Sequence, residues 1–272
     1  MPLAVCATPI GNLDDVTLRV LEELERADVV ACEDTRRTGS LCARRGIQAR
    51  LLSLHEHNEA QRVPELVERM AAGERVALVS DAGMPAVSDP GQRLIAAALD
   101  AGIPVTVLPG PSAVTAAAAA SGLVGGAFVF CGFLPRAASQ LAELMDRLDS
   151  CGLPVVAFES PRRLPASLRA LAGRDPDRRA AVCRELTKVY EEIARGSLAE
   201  LAEAFAEPPR GEITLVLDAP SAAPPDVDPR ALADLAQQVG VRRAAELASR
   251  LTGAPRNELY RRLTVRRDVS GR

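Results

Sequence analysis

The stretch VSDAGMPAVSDPG, residues 79–91, holds two Ser-Asp pairs, two prolines and two glycines between an apolar run, RVALV, and the helical pattern QRLIAAALDAG. A loop joining a buried strand to a helix usually needs only a few residues. A longer, polar one at the carboxyl end of a strand is where open α/β sheets bind ligands. Asp81 and Asp89 can accept from hydroxyl or amino groups, and Gly83 lets a ligand approach the backbone closely. We read Ser80, Asp81, Ala82, Gly83 and Met84 as a ligand edge. Ser88 or Asp89 reads as the N-cap of the helix after Pro90.

Other polar groups gather at strand ends. Pro109-Gly110-Pro111-Ser112-Ala113 puts Ser112 at a helix start, whose free N–H groups suit a carboxylate or phosphate. The strand before it is expected to neighbour the strand before Ser80. Glu33-Asp34-Thr35-Arg36-Arg37 is by default a solvated charge run, yet its two acids stand at a strand end, on the rim of the expected cleft. His55-Glu56-His57-Asn58-Glu59 contains the chain's only two histidines without the HExxH spacing of a zinc site, so no metal is expected. In the second half, Glu159-Ser160-Pro161-Arg162-Arg163 and Arg184-Glu185-Leu186-Thr187-Lys188 suggest a second wall facing the first. Helix capping accounts for Ser160 and Pro161.

Absent motifs narrow the chemistry further. TPIGNL lies where a dinucleotide fold carries GxGxxG, but it has one glycine, which also argues against the commonest methyltransferase architecture. No GxxxxGK[ST] loop is present, which argues against nucleotide hydrolysis.

The elements that must position these residues alternate between β and α. Strands are predicted at 3–7, 29–33, 50–54, 75–80, 104–108 and 128–133, the last crossing out of the first unit. Helices begin near Asp14 and Asp15, over 60–72, over 91–101 and at Ser112. Such alternation argues for a mostly parallel sheet covered on both faces. After a hinge at 134–139, helices at 139–149, 161–172 and 197–206 alternate with strands at 154–158, 179–186 and 212–218. The organisation expected is an α/β domain over 1–133, an α+β domain over 134–219, a Pro-rich linker over 220–229 and a helical tail over 230–272. Three helices, at 230–239, 242–252 and 255–266, with a break at Gly253, read as helix-turn-helix-like.

The 272 residues carry a net charge of −3, so a basic surface must be local. The tail supplies one: from 242 onward it has nine arginines against three acids, which favours RNA contact. With no Trp, recognition of flat rings falls to Phe, Tyr, Arg or aliphatic side chains. Six cysteines are scattered without CxxC spacing, and most sit in apolar runs and read as small core residues of a cytoplasmic protein. Neither a signal peptide nor a membrane span is expected.

Taken in order, TPIGNLDDVTLRVLEEL, ACEDTRRT, LHEHNE, VSDAGMPAVSDPG, LPGPSAV, GFLPR, FESPRR, RELTKVYEEI and RGEI resemble the tetrapyrrole-methylase superfamily, and within it the branch that methylates ribose 2′-hydroxyls of 16S rRNA. The resemblance implies a two-domain class III methyltransferase fold with a small helical extension, usually as a homodimer, and S-adenosyl-L-methionine in the cleft. It implies a decoding-centre cytidine of the small ribosomal subunit as substrate. The cofactor would lie against Pro9, Ser80 to Met84, Pro109 to Ala113, Phe133, Leu134 and Leu186. RNA would meet Arg36, Arg37, His57 and Asn58, and, in the tail, Arg242, Arg243, Arg261 and Arg262. Met84 stands where Thr is usual and Arg162 where His is common.

A ribose hydroxyl is a poor nucleophile at neutral pH, so a base should help, by about 10²–10⁴-fold. Glu33, Asp34, His57, Asp81 and a neutral Lys188 are the candidates, Asp34 and Glu33 first because they stand beside arginines able to hold the phosphate backbone. Two other readings stay open: a superfamily enzyme acting on a corrinoid-like small molecule, and a non-catalytic RNA-binding protein.

Overall fold

A computed structural model describes residues 2–220, 228–252, 256, 259–261, 263 and 264. Residues 1–219 form one compact unit and 220–272 a second.

The first unit contains two five-stranded sheets. The first has the order β3-β2-β4-β1-β5 and is parallel throughout, from β1 (Leu3–Cys6), β2 (Val29–Cys32), β3 (Leu51–Ser53), β4 (Val76–Val79) and β5 (Val105–Leu108). Period-two alternation sorts its side chains between two cores. Leu3, Val5, Ala31 and Leu78 pack with Leu66 and Met70 of α3 (Glu59–Ala71) and Leu94 of α4 (Gln92–Asp100). Ala4, Cys6, Val30 and Val79 pack with Val20 and Leu24 of α1 (Leu18–Arg26) and Leu41 of α2 (Thr35–Arg44). Both faces are covered, which is why these strands read as unbroken apolar runs. The predicted helix start at Asp14 and Asp15 is corrected. Residues 13–15 form one 3-10 turn capped by Asn12, and α1 starts at Leu18, capped by the Thr17 hydroxyl.

Strand β5 pairs with β1, not with β4 as expected, so TPIGNL emerges between the VSDAG and PGPS loops. Parallel pairing brings all five carboxyl-end loops to one edge.

The second sheet has the order β6-β7-β10-β8-β9, from β6 (Val129–Phe133), β7 (Val155–Glu159), β8 (Arg179–Arg184), β9 (Glu192–Ser197) and β10 (Ile213–Leu217). Only β6 and β7 are parallel. One face packs on α6 (Ala138–Asp149), α7 (Leu164–Ala172) and α8 (Leu198–Ala204) through Val155, Ala157, Val182 and Leu215. The other face takes α5 (Ala113–Ser121), whose Val114, Ala117 and Ala118 meet Val156, Ala181, Cys183 and Val216.

The strand at 128–133 crosses out of the first sheet, as expected, and is an edge of the second, while α5, expected to belong to the first domain, crosses over to cover that same sheet. The predicted strand at 179–186 ends at Arg184, and a further strand, β9, follows a tight loop. EIARGS is polar because an edge strand needs few apolar groups, so its sequence does not announce it. Arg195 on β9 donates from Nε to the Ser121 carbonyl at 3.0 Å and also reaches the Ala120 carbonyl, closing the α5 C-terminus.

In the second unit, α9 (Pro229–Val239) and α10 (Val241–Thr252) join at Gly240, where φ is +82°. The tight turn thus lies at Gly240, while the expected break at Gly253 falls outside the described residues. Leu232, Ala245, Ala248 and Leu259 form its core.

Candidate active site

Three loops of the first sheet are stitched together before any ligand is considered. Thr8 and Gly83 exchange backbone hydrogen bonds at 2.8 and 3.0 Å, and the Thr8 hydroxyl donates to the Ser80 carbonyl at 3.0 Å. The Ser80 hydroxyl turns inward to the Gly83 carbonyl. Asp81 accepts from the Asp34 N–H at 3.0 Å and lies 3.5 Å from Arg37, which ties the β4 loop to the start of α2.

The second sheet adds the β8–β9 loop. A Cβ on Gly11 would stand 2.5 Å from Lys188 Cγ and 2.8 Å from the Leu186 carbonyl, so only glycine fits this seam. The Asn12 N–H donates across it to the Thr187 hydroxyl at 2.9 Å. Among the described residues, four non-glycine residues have positive φ: Ala86, Ser88, Glu185 and Thr187. All four lie in the two loops that wall the site, where such backbone strain tends to be kept.

Two cavities result. The first, about 320 Å³, is lined by Ile10, Ala82, Gly83 and Met84 from the first sheet's loops and by Phe133, Phe158, Leu186 and Ile213 from the second sheet, together with Ser112 and Ala113. Asp89, Glu159 and Glu212 also border it. The second, about 360 Å³, lies under Thr8, Pro9, Gly11, Arg37, Ser40, Asp81 and Lys188. Ile10, Ala82 and Glu212 border both.

The 79–91 loop behaves differently from its predicted second half. Neither Ser88 nor Asp89 caps α4: the N-cap is Gly91 at φ +118°, and its N–H is taken by the buried Glu59 carboxylate at 2.8 Å. Both residues border the first cavity instead. Burial, with Glu33 and Asp81 nearby, pushes the Asp89 carboxyl up to about 6 despite a hydrogen bond from Ser80. Ser160 and Pro161 also border that cavity, and α7 starts at Leu164 without a side-chain cap from Ser160. Glu159 is fully buried and held by Arg163, Ser167 and the Ser160 N–H.

Of the remaining residues singled out from sequence, Phe133, Leu186, Ser112 and Ala113 border the first cavity, and Pro9 and Ser80 the second. Leu134 is buried beside them, its carbonyl accepting from Arg163 at 2.7 Å, and Pro109, Gly110 and Pro111 border neither cavity. Asp34 caps α2 and chelates Arg36, which holds its carboxyl well below the usual range. Burial, then Asp81, raises the Glu33 carboxyl, and Glu33 borders neither cavity. Burial would lower the Lys188 pKa, but hydrogen bonds to Glu185 at 2.8 Å and Glu212 at 3.0 Å outweigh it, so Lys188 is a cation. Asn58 spends its amide on the His55 N–H and the Ser53 carbonyl, while His57 is exposed. Arg242, Arg243 and Arg261 are exposed on the tail, and Arg262 lies outside the described residues. Burial pushes the Cys6 thiol up to about 12 and Cys32 and Cys183 to about 11, so these are neutral core residues.

A sheet-and-cleft design with a glycine at the cleft edge and a separate helical unit matches known proteins. Residues 2–202 match the tetrapyrrole (corrin/porphyrin) methylases. The chain belongs to the tetrapyrrole methylase family. Residues 221–267 of this methylase match the RsmI C-terminal HTH domain. Ribosomal RNA small subunit methyltransferase I of Mesorhizobium japonicum is 46% identical to it over 275 residues, covering 99% of this chain and 93% of that protein. The protein of the same name in Escherichia coli O157:H7 is 38% identical over 95% of this chain and 93% of its own length. The methylase thus falls in the ribosomal RNA small subunit methyltransferase I branch. Among solved structures, the methyltransferase CobJ shares the fold, with a TM-score of 0.63 and 21% identity over 80% of this chain and 94% of its own. Uroporphyrin-III C-methyltransferase from Thermus thermophilus, solved with S-adenosyl homocysteine, does so at a TM-score of 0.57, 20% identity and coverage of 80% and 97%.

Proposed function

We propose that this methylase transfers a methyl group from S-adenosyl-L-methionine to the 2′-hydroxyl of a cytidine in the 16S rRNA of the small ribosomal subunit. The observation that carries the reading is a single one. The body and the basic helical tail align together, over 99% of the chain, with a ribosomal RNA small subunit methyltransferase I. A corrinoid enzyme has no need of such a tail.

The first cavity fits the cofactor. Its phenylalanine, leucine and isoleucine walls suit a flat adenine ring. Ser112 makes no capping bond at the start of α5, so the free N–H groups there face a carboxylate without competition. Asp89 complements a cationic ligand. When bound, S-adenosylmethionine supplies a methyl carbon made electrophilic by the positive sulfur.

The chain's own part is positioning and proton handling. Holding the hydroxyl opposite the sulfur can supply roughly 7–11 kcal/mol of the barrier. Asp34 is spent on α2 and Arg36, Lys188 is protonated, and Glu33 borders neither cavity. Outside the cleft, Arg36, Arg37 and the exposed tail arginines would take phosphates, with the protein working as a homodimer among ribosomes in the cytoplasm. Purified protein, S-adenosylmethionine and assembled small subunits are expected to yield ribose methylation at a cytidine. No transfer to such subunits refutes the reading, and deletion of residues 229–272 is expected to weaken subunit binding while leaving cofactor binding intact.

A further inference from the structure

We propose that the second cavity is the nucleoside subsite, and that Glu212, on the wall it shares with the first, takes the proton of the attacking hydroxyl. This rests on the reading of the chain as a ribose methyltransferase and names where its substrate sits.

The two cavities differ in chemistry as a cofactor and a nucleoside differ. Around the second, Arg37 and Lys188 are balanced by Asp81 and Glu212, so the space is polar but without net charge. A neutral box suits a hydroxyl-rich sugar and a base, and offers a phosphate little. Ser40 and Thr38 add hydroxyls on the α2 side, while Pro9 and Leu13 provide an apolar wall for a ring face. Phosphate charge is left for the rim, where the Arg37 side chain is 61% exposed.

A stacking surface stands next to this cavity. The loop after β8 turns back at residues 188–191, with the Glu191 N–H bonded to the Lys188 carbonyl at 3.1 Å. Its tip carries Val189 and Tyr190, 92% and 74% exposed. Tyr190 is an aromatic ring on a tight turn whose first residue borders the cavity. It suits stacking of a base flanking the one withdrawn from its strand, a contact sequence-tolerant in single-stranded RNA.

Glu212 is the one titratable residue among the three that border both cavities. Lys188 holds one of its oxygens at 3.0 Å, and its N–H donates to Glu185 at 2.9 Å, so its place on the wall is fixed. A hydroxyl in the second cavity and a methyl donor in the first meet at that wall. The hydroxyl oxygen forms the new O–CH₃ bond, the S–CH₃ bond breaks with its electron pair left on sulfur, and the proton passes to the Glu212 carboxylate.

The test uses the full chain. Saturation-transfer NMR with cytidine 5′-monophosphate is expected to show contacts to ribose and base protons in the parent, undisturbed by S-adenosylhomocysteine. S40W, at an exposed helix position on the cavity wall, should abolish them and raise KM for small subunits at least tenfold, about the effect of losing one well-placed contact. Calorimetric affinity for S-adenosylmethionine should stay within about twofold, since that ligand uses the other cavity. E212Q should keep both ligands but lose about 10²–10⁴-fold in kcat. The subsite is overturned if the nucleotide contacts survive S40W or are displaced by S-adenosylhomocysteine. The proton role is overturned if E212Q keeps kcat within a few-fold of the parent. A parent protein that methylates subunits while either result appears leaves the enzyme assignment standing. One that binds no S-adenosylmethionine at all defeats that assignment instead.

Discussion

The two sheets of the body serve one cleft by different geometry. The first is parallel, so every β-to-α loop leaves from the same edge, and TPIGNL, VSDAG and PGPS converge there without further arrangement. The second is mixed, so its loops alternate between edges. It contributes a face, Phe158, Cys183 and Thr214, together with the tight β8–β9 loop and the ends of β6 and β7. A parallel sheet gathers functional loops by topology. A mixed sheet must reach the site by a long excursion of one loop, and positive φ values at Glu185 and Thr187 on that side match those at Ala86 and Ser88 in the β4 loop it faces.

The contrast can be tested where the second sheet's wall is pinned. Glu159 is fully buried and its charge is met by Arg163, so E159Q strands that guanidinium and should cost about 3–5 kcal/mol, read from urea denaturation. A loss below about 1 kcal/mol would mean the wall is held by packing alone.

Core truncations ask whether the sheets unfold together. Leu78 and Leu215 are buried in the separate cores of the first and second sheet. L78A and L215A should each cost about 2–5 kcal/mol and move the same single transition, because residues 1–219 are one unit. Two resolved transitions in calorimetry, each sensitive to one variant, would divide the body instead.

The seam between the sheets is expected to be more sensitive in function than in stability. G11A drives a Cβ into the Leu186 carbonyl and should cost about 1–3 kcal/mol. Misplacing the wall should also lower methylation roughly a hundredfold. G125A, where an added Cβ meets nothing within 4 Å, is the control and should change neither.

The smallest effect concerns pH. Asp89 is raised to about 6, so between about pH 4 and 6 the folded chain binds its proton more tightly than the unfolded chain does. Stability contributed by this group therefore falls as pH rises through that window. D89N should melt higher than the parent above pH 6, by about 2 °C because solvent screens the half-buried charge, and match it below about pH 4. A larger gain at low pH than at high pH would contradict the burial of Asp89.

Much of the first sheet was legible because its strands are buried on both faces and bounded by polar loops. Gly83 and Ser112, singled out from their position after such strands alone, border the first cavity. Asp89 could not be placed there, since Ser-Asp before Pro-Gly reads as a helix cap until Glu59, thirty-two residues away, is seen to take the Gly91 N–H. Glu212 stood only as part of the RGEI motif of the resemblance, with no role of its own, because nothing local to a strand start tells which cavity it borders. The polar edge strand β9 and the crossing of α5 to the second sheet escaped for a related reason: pairing and packing partners lie far along the chain.

The sequence by itself determined the alternation of elements, the loops that carry chemistry, the basic tail and the family, because periodicity, turn residues and motif order are local properties of the chain. Tertiary structure alone decided that Asp34 and Lys188 are occupied, that Gly11 must face Leu186, and that two cavities meet at Ile10, Ala82 and Glu212. Those outcomes depend on which distant groups satisfy one another's charge and hydrogen bonds, and that is settled only when both sheets are folded against each other.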